Sequence, residues 1–205
     1  MQLVHPERVI KVDELLLEPI LPAHASKLFE ALQSPELYMF IPLDPPKAEK
    51  DLEERYSRWS KRQSPEHDEL WLNYAVYHRK ISAYVGTVQA TLEESGKTLI
   101  AYEVFPEFWR RGIGTSACSA LLDHLFNDYG ISTVSALMDT RNIASRKLLE
   151  SLGFRCTGTI PNADEFKGAI SDEFSFELTR NGWADRSRRL SQTPGVTEDQ
   201  HRRGH

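Results

Sequence analysis

The stretch Trp109-Arg110-Arg111-Gly112-Ile113-Gly114-Thr115 lies where the sequence pattern changes from that of a strand to that of a helix. Before it, residues 99–105 read as a strand that Pro106 closes, and after it apolar residues recur at helical spacing as far as Tyr129. The first turn of a helix presents unpaired backbone N–H groups and the positive end of the helix dipole. The stretch therefore predicts a turn that binds an anion, and its glycines allow a phosphate to approach the backbone.

The two glycines of this stretch fit neither of the common phosphate-binding patterns. No Lys-Ser or Lys-Thr pair follows them, as a P-loop requires, and no third glycine stands at the dinucleotide-binding spacing. A glycine pair can also form a tight turn without any ligand. The functional interpretation that remains is a shorter loop for a diphosphate group.

Two segments of the chain resemble the GNAT N-acetyltransferases. Residues 106–114 match the acetyl-CoA loop of that family, which reads Gln/Arg-x-x-Gly-x-Gly/Ala at a strand-to-helix junction. Residues 142–154 match the Asn-x-x-Ala/Ser helix that ends in Gly-Phe. The resemblance is specific over residues 99–160 and extends loosely over residues 12–183.

One residue in the loop makes the chain resemble a particular branch of this family. Trp109 stands where the family usually has Gln or Arg, and with Ser145 and Leu149 it is similar to the branch that includes the ribosomal-protein N-terminal acetyltransferases. The resemblance implies an α/β fold, a mixed, twisted sheet of about six or seven strands with helices on both faces. It also implies a single acetyltransferase domain over residues 1–183. The apolar content collapses over residues 184–205, which predicts a disordered polar tail.

The hydropathy pattern predicts the elements around this motif. Strands are expected at residues 12–20, 70–77, 83–92, 98–105, 134–138, 154–160 and 172–178. Helices are expected from Pro22 to Ser34, from Ala48 to Trp59, after the glycine loop, and from Asn142 to Leu152. On the helix that ends at Trp59, the charged residues are expected to form a solvated face.

Three prolines between residues 40 and 46 prevent both a helix and a central strand, so this segment is expected to be a loop. The resemblance implies that a loop at this place borders the acceptor pocket. Tyr38, Phe40 and Ile41 are therefore candidates for the pocket wall, although apolar loop residues can also simply cover the core.

The resemblance assigns one set of residues to acetyl-CoA. The backbone groups of Glu103, Val104 and Phe105 are expected to contact the pantetheine arm, between two strands that diverge. The pyrophosphate is expected to bind at the loop residues Arg110, Arg111, Gly112, Ile113, Gly114 and Thr115. Asn142 is expected to hydrogen-bond the pantetheine, although asparagine is also favoured at this position as a plain N-cap. No metal is implied.

Two residues are candidates for proton transfer. Leu149 occupies the position where many family members have a tyrosine acid, so the resemblance shifts that role to Ser145, directly or through water. Leu137 likewise replaces the glutamate base of some relatives. The candidate base is then Glu103, the one carboxylate in the strand before the loop, with Asp139 as the alternative. Purely structural roles remain open for Glu103 and Ser145.

The composition argues against several classes of protein. A formal net charge of −5 disfavours nucleic-acid binding, which needs a basic face. Neither Cys118 nor Cys156 has the spacing of a zinc site or a disulfide framework. Neither a signal peptide nor an apolar segment of membrane-spanning length is expected. These features predict a cytoplasmic protein without membrane association, monomeric or homodimeric.

The resemblance implies direct transfer of an acetyl group from acetyl-CoA to a primary amine, on a small molecule or at a protein N-terminus. A longer acyl donor is a rival within the same class. Because Leu137 and Leu149 replace two catalytic positions, a non-catalytic regulatory module that binds acyl-CoA is the alternative outside that class.

Overall fold

The computed structural model describes residues 6–192, which form one eight-stranded sheet with helices packed against it. The strands are β1 (Ile10–Val12), β2 (Leu15–Pro19), β3 (Glu69–His78), β4 (Ala83–Glu93), β5 (Thr98–Val104), β6 (Thr133–Asp139), β7 (Arg155–Phe166) and β8 (Ala169–Thr179). Their order in the sheet is β1-β2-β3-β4-β5-β6-β8-β7. The pair β5 and β6 is parallel and every other neighbouring pair is antiparallel, so the sheet is mixed, as predicted.

The sheet has eight strands instead of six or seven because the segment expected to form one strand at residues 12–20 belongs to two. Asp13 adopts a left-handed φ of 46° in a tight turn, and the chain reverses so that Val12 pairs with Leu15. Aspartate tolerates this conformation better than most residues with a Cβ. The hydropathy pattern alone did not reveal this reversal.

The helices are α1 (Ala25–Leu28), α2 (Glu49–Trp59), α3 (Ile113–Asp123), α4 (Ile143–Leu152) and α5 (Arg180–Gln192). A π-helical turn, His124–Asp128, extends α3. The helix predicted from Pro22 to Ser34 is divided into α1 and flanking 3-10 turns. α4 starts after its N-cap Asn142 and ends at Gly153, which has a left-handed φ of 94°. Within residues 6–192, no helix combines the length and hydropathy that a membrane span requires.

Helices pack on both faces of the sheet at β4 and β5. Thr87 pairs with Glu103, and the adjacent residues Val88 and Tyr102 also pair. Because successive side chains of a strand point to opposite faces, these two pairs lie on opposite sides of the sheet. The first pair lines a cavity together with Leu52 of α2, whereas Tyr102 hydrogen-bonds to α4. The sheet therefore separates α2 from α4 and from α3, which packs beside α4.

β7 and β8 form a long hairpin at the edge of the sheet. A connection is predicted at residues 161–171, but β7 extends to Phe166 and the chain reverses at Lys167 and Gly168, both with left-handed φ (52° and 74°). At this tip, the Lys167 ammonium donates hydrogen bonds to three carbonyl groups of the proline-containing loop, those of Tyr38, Ile41 and Leu43. The hairpin therefore holds the loop in place.

The C-terminal helix corrects one expectation. The composition predicts disorder from residue 184 onward, but α5 continues to Gln192, so this prediction is wrong for residues 184–192. The Arg186 guanidinium lies 4.9 Å from the centre of the Trp183 ring, and its Nε donates to the Ser151 carbonyl at the end of α4 at 3.0 Å. These contacts hold α5 against the end of α4, although the low apolar content of this segment did not predict a helix. Residues 193–205 of the predicted tail lie outside the described residues.

Candidate active site

The turn before α3 has the backbone geometry that the glycine motif predicts. Gly112 is the N-cap of α3 with a φ of 75°, a left-handed conformation that residues with a Cβ seldom adopt. A Cβ added to Gly112 would meet no atom within 4 Å, so the space above the turn is open. The neighbouring Arg110 also has a positive φ, 61°, and both Arg110 and Arg111 are exposed. The turn presents the first N–H groups of an 11-residue helix to this space.

Gly114 is required for a different reason. A Cβ on Gly114 would lie 2.7 Å from Leu148 Cδ1 on α4 and 3.3 Å from Val104 Cγ2 on β5. The first of these distances is too short for any real contact, so a side chain here would force Leu148 to turn aside and Val104 to shift slightly, which disturbs the packing between α3, α4 and β5. The two glycines of the motif therefore have separate functions, one in the turn and one in helix packing.

β5 and β6 diverge beside the glycine turn. They pair at Leu99 and Ser135, near the start of both strands. At the far end of β5, the Phe105 N–H donates to the Val85 carbonyl of β4 at 2.9 Å. The N–H of the preceding residue, Val104, consequently points to the opposite side, toward β6. No residue of β6 pairs with Val104 in the described part of the chain, so this N–H faces a gap between the two strands.

Trp109 closes one end of this gap. Its indole Nε1 donates to the Val104 carbonyl at 2.5 Å, which holds the loop against the end of β5. Of the backbone groups of Val104, the N–H is therefore the one that a ligand can use. The N–H of Phe105 is already bonded to β4 and its side chain is buried. Val104 and Phe105, which the sequence analysis assigned to the same ligand, therefore differ, because the backbone N–H is available in Val104 and already bonded in Phe105.

The start of α4 brings Asn142 and Ser145 to the same region. Asn142 Oδ1 accepts a hydrogen bond from the Ser145 N–H at 3.0 Å, so Asn142 does cap the helix. Its amide NH2 makes no hydrogen bond within residues 6–192 and remains able to donate. Ser145 Oγ lies 2.7 Å from the Tyr102 hydroxyl on β5. The serine is therefore one half of a hydroxyl pair.

Tyr102 is a candidate site residue that the motifs did not indicate. Burial raises the pKa of its phenol, and the hydrogen bond with Ser145 opposes this effect only in part. The phenol is therefore protonated at neutral pH, which is the form a proton donor needs. Strand alternation could have found it, because Tyr102 and Glu103 are adjacent in β5 and must point to opposite faces.

A cavity of about 360 Å³ opens on the face of the sheet that carries α2. Its polar lining consists of Thr87, Gln89, Glu103, Arg55 and Arg58. Its apolar lining includes Tyr38, Leu43, Tyr56 and Trp59. Of the three residues predicted for the pocket wall, only Tyr38 lines this cavity, while Phe40 and Ile41 lie elsewhere in the loop.

Glu103 is the carboxylate of this cavity. The Thr87 hydroxyl donates to Glu103 Oε2 at 3.4 Å, and no ion pair in residues 6–192 includes Glu103. Burial raises its pKa, and the hydrogen bond from Thr87 and the charge of Arg55 oppose that shift only in part. Burial, together with the charge of Glu103, also raises the pKa of Tyr38 to about 12. The surroundings of Glu103 therefore favour a carboxyl that takes up a proton readily.

Asp139, the alternative base, is in the opposite situation. This buried carboxylate accepts hydrogen bonds from Arg141 Nε at 2.9 Å, from the Arg141 N–H at 2.8 Å and from Ser171 Oγ at 2.7 Å. The hydrogen bond from the Arg141 side chain is the main cause that lowers the pKa of Asp139 to about 2. Such a carboxylate is a weak proton acceptor, so the geometry favours a structural role for Asp139.

The sequence that forms these strands and the glycine turn matches a known family. Residues 14–155 match the sequence model of a family described as acetyltransferase (GNAT) domain. The chain belongs to the GNAT acetyltransferase family. The matched region covers the cavity, the gap between β5 and β6, the glycine turn and α4.

Individual GNAT relatives are similar in sequence and in fold. An uncharacterized N-acetyltransferase of Bacillus subtilis, YoaA, is 23% identical over 154 residues, which are 74% of this chain and 85% of the relative. The crystal structure of a GCN5-related N-acetyltransferase from Brucella melitensis has a TM-score of 0.77 at 21% identity, covering 90% of this chain and 84% of that one. A ribosomal-protein-S5-alanine acetyltransferase from Vibrio fischeri has a TM-score of 0.71 at 17% identity, covering 86% and 98%. The resemblance to ribosomal-protein acetyltransferases is thereby confirmed at the level of the fold.

Two positions at which GNAT enzymes often have catalytic side chains hold leucine in this chain. Leu149 is buried in α4, whereas Leu137 on β6 is 43% exposed. Neither can transfer a proton. Two groups that can exchange protons lie nearby, Glu103 on one face of the sheet and the hydroxyl pair of Tyr102 and Ser145 on the other.

Proposed function

We propose that this GNAT protein transfers an acetyl group directly from acetyl-CoA to a primary amine. The supporting observation is that the glycine turn and the cavity lie on opposite faces of the sheet, beside the gap between β5 and β6. A cofactor at the turn and an amine in the cavity would approach each other through this gap. When bound, acetyl-CoA supplies the acetyl group as a thioester.

The residues around the gap fit a diphosphate that carries an extended arm. The first-turn N–H groups of Gly112, Ile113, Gly114 and Thr115 would bind the pyrophosphate, with Arg110 and Arg111 adding positive charge. The Val104 N–H and the Asn142 amide flank the gap and would donate hydrogen bonds to the pantetheine arm. Phe105 would contribute through packing, because its N–H is bonded to β4.

Glu103 would accept the proton of the acceptor amine, directly or through water. A primary amine is mostly protonated at neutral pH and must lose that proton before it can react. The raised pKa of Glu103 supports this role, because a carboxylate whose pKa lies closer to neutrality accepts a proton more readily. The position of Glu103 in the cavity puts the proton acceptor on the acceptor side of the sheet.

The hydroxyl pair would supply the proton to the leaving thiolate. Ser145 alone is a weak acid, but its hydrogen bond of 2.7 Å to the protonated Tyr102 phenol provides a route for proton transfer. The pair lies on the face of the sheet that carries the glycine turn. Ser145 would therefore act together with Tyr102, either as the donor or as the link to it.

The acceptor would be a small molecule or a protein N-terminus. One fold neighbour is named a ribosomal-protein-S5-alanine acetyltransferase, which concerns the second class. We propose further that the enzyme acts in the cytoplasm as a monomer or homodimer, without nucleic acid or membrane. The net charge of −5 supports the lack of nucleic-acid binding.

A regulatory module that binds acyl-CoA without turnover is the second candidate. The observation that favours it is the presence of leucine at both usual catalytic positions, Leu137 and Leu149. Such a module would use the same glycine turn but would need neither Glu103 nor the hydroxyl pair.

A turnover assay tests these two candidates. The protein is mixed with acetyl-CoA and a panel of primary amines, and the release of free thiol is followed against a reaction without amine. We expect amine-dependent release, and Gly112→Val should abolish it by blocking the turn. Binding of acetyl-CoA without turnover of any amine would support the regulatory module. A protein that does not bind acetyl-CoA would contradict both candidates.

A further inference from the structure

Arg55 is a charged residue on the buried side of α2. It stands three residues after Leu52 and four before Trp59, a spacing that puts it on the apolar stripe of the helix. Its side chain is partly buried and lines the same cavity as Glu103. The expectation that the charges of this helix face solvent is therefore wrong for Arg55.

Arg55 also lacks a partner within the described residues. Neither Arg55 nor Arg58, one turn further along α2, makes an ion pair or side-chain hydrogen bond in residues 6–192. The buried Arg62, by contrast, is paired, since its Nε lies 2.9 Å from Glu7 Oε1. Arg55 is partly buried, and a guanidinium that is partly withdrawn from water gains from an anionic partner. An unpaired guanidinium at a cavity wall is therefore available to an anionic group of a ligand.

Glu103 does not fill this role. It shares the cavity with Arg55, yet no oxygen of Glu103 lies within 4.0 Å of an Arg55 nitrogen. The two opposite charges are thus separated within one cavity, and Tyr56 and Trp59 line the space with them. A ligand with a positive end at Glu103 and a negative end at Arg55 would satisfy both charges.

We propose that the acceptor is a small molecule in which a short apolar spacer joins the primary amine to a carboxylate, which Arg55 binds with help from Arg58. This inference rests on the proposed acetyl transfer. A cavity of about 360 Å³ is near the lower limit for ligand sites, which favours a free amino acid over a peptide. The spacer would lie against the aromatic wall, and the amine would point to Glu103.

The test compares free ω-amino acids of increasing chain length with their primary carboxamides, using thiol release from acetyl-CoA. Each pair differs in the carboxylate alone. For at least one pair, we expect kcat/KM of the acid to exceed that of the amide by about tenfold or more, as a charged hydrogen bond allows. Arg55→Gln should reduce this ratio to about one, whereas Arg55→Lys, which keeps the charge, should retain part of it.

Lys50→Gln is the matched control, because it removes one positive charge from an exposed position of the same helix. It should leave the ratio unchanged. Equal loss in Lys50→Gln and Arg55→Gln would overturn the direct contact in favour of long-range charge. Equal turnover of acids and amides by the unaltered protein would overturn the inference but leave acetyl transfer intact. Preference for an acidic peptide over every free amino acid would overturn the small-molecule assignment, and turnover of no amine would overturn the proposed function as well.

Discussion

Replacement of Glu103 by glutamine is the most informative perturbation of the proposed mechanism. Glutamine keeps the shape of the side chain and its hydrogen bond with Thr87 but cannot accept a proton. Because Glu103 lies in the cavity proposed for the acceptor, on the face opposite the glycine turn, we expect kcat/KM for the amine to fall while the Kd of acetyl-CoA changes little.

The size of this loss depends on how much free amine the solution supplies. At pH 7, a lysine-like amine with a pKa of about 10.4 is free in about 1 molecule in 2,500, and an α-amine with a pKa of about 7.8 in about 1 in 7. A variant that must wait for free amine should therefore lose up to about 10³-fold with the first class and less than about tenfold with the second. At pH values below the pKa of the amine, this loss of kcat/KM should become about tenfold smaller for each unit by which the pH rises.

Stability measurements separate this role from a structural one. Burial raises the pKa of Glu103, so the folded protein binds this proton more tightly than the unfolded chain does. The contribution of Glu103 to stability is therefore greatest below its unfolded pKa and is lost as the pH rises through the folded pKa. Glu103→Gln should consequently leave Tm at pH 7 unchanged or higher.

The assay is kcat/KM by thiol release from about pH 6 to pH 10, with acetyl-CoA affinity measured by calorimetry. Glu53→Gln, on the exposed side of α2, is the control for loss of a carboxylate. An unchanged pH–rate profile would contradict the proposed role of Glu103 as the base and would indicate that solvent removes the proton from the amine. A lower Tm with normal kinetics would identify Glu103 as a strand residue without a catalytic part.

Four further variants test other parts of the protein. Gly112→Val should weaken acetyl-CoA binding and add about 1–2 kcal/mol of backbone strain. Gly114→Val should mainly lower Tm, because its side chain would clash with Leu148 on α4. If both variants changed acetyl-CoA affinity and Tm by equal amounts in calorimetry and thermal unfolding, the separate roles of the two glycines would be contradicted. Tyr102→Phe should lower kcat about tenfold or more at unchanged acetyl-CoA affinity, and an unchanged kcat would leave proton donation to Ser145 or solvent. Removal of residues 184–205 breaks the hydrogen bond from Arg186 to α4, which contributes about 1 kcal/mol and should lower Tm by about 2–4 °C; an unaltered melting curve would show that this part of α5 adds no stability.

The sequence by itself determined those features that depend on local backbone conformation. The turn at Gly112 requires a left-handed φ, and the helix that starts after Asn142 and ends at Gly153 has its cap residues within one short segment. Such signals are readable because every residue that creates them is a neighbour in the chain. They were sufficient for the family, the mixed sheet and the position of the glycine turn.

Only the tertiary structure decided which side chains meet across elements. Tyr102 and Ser145 are 43 positions apart, and their contact depends on how α4 packs over the end of β5. The separation of Arg55 from Glu103 depends likewise on how α2 lies over β4 and β5. Contacts of this kind are set by strand register, sheet twist and helix packing, which no local spacing encodes. For this reason the glycine turn was predictable from its motif, whereas the cavity beside Glu103 and the hydroxyl pair became visible only in the folded chain.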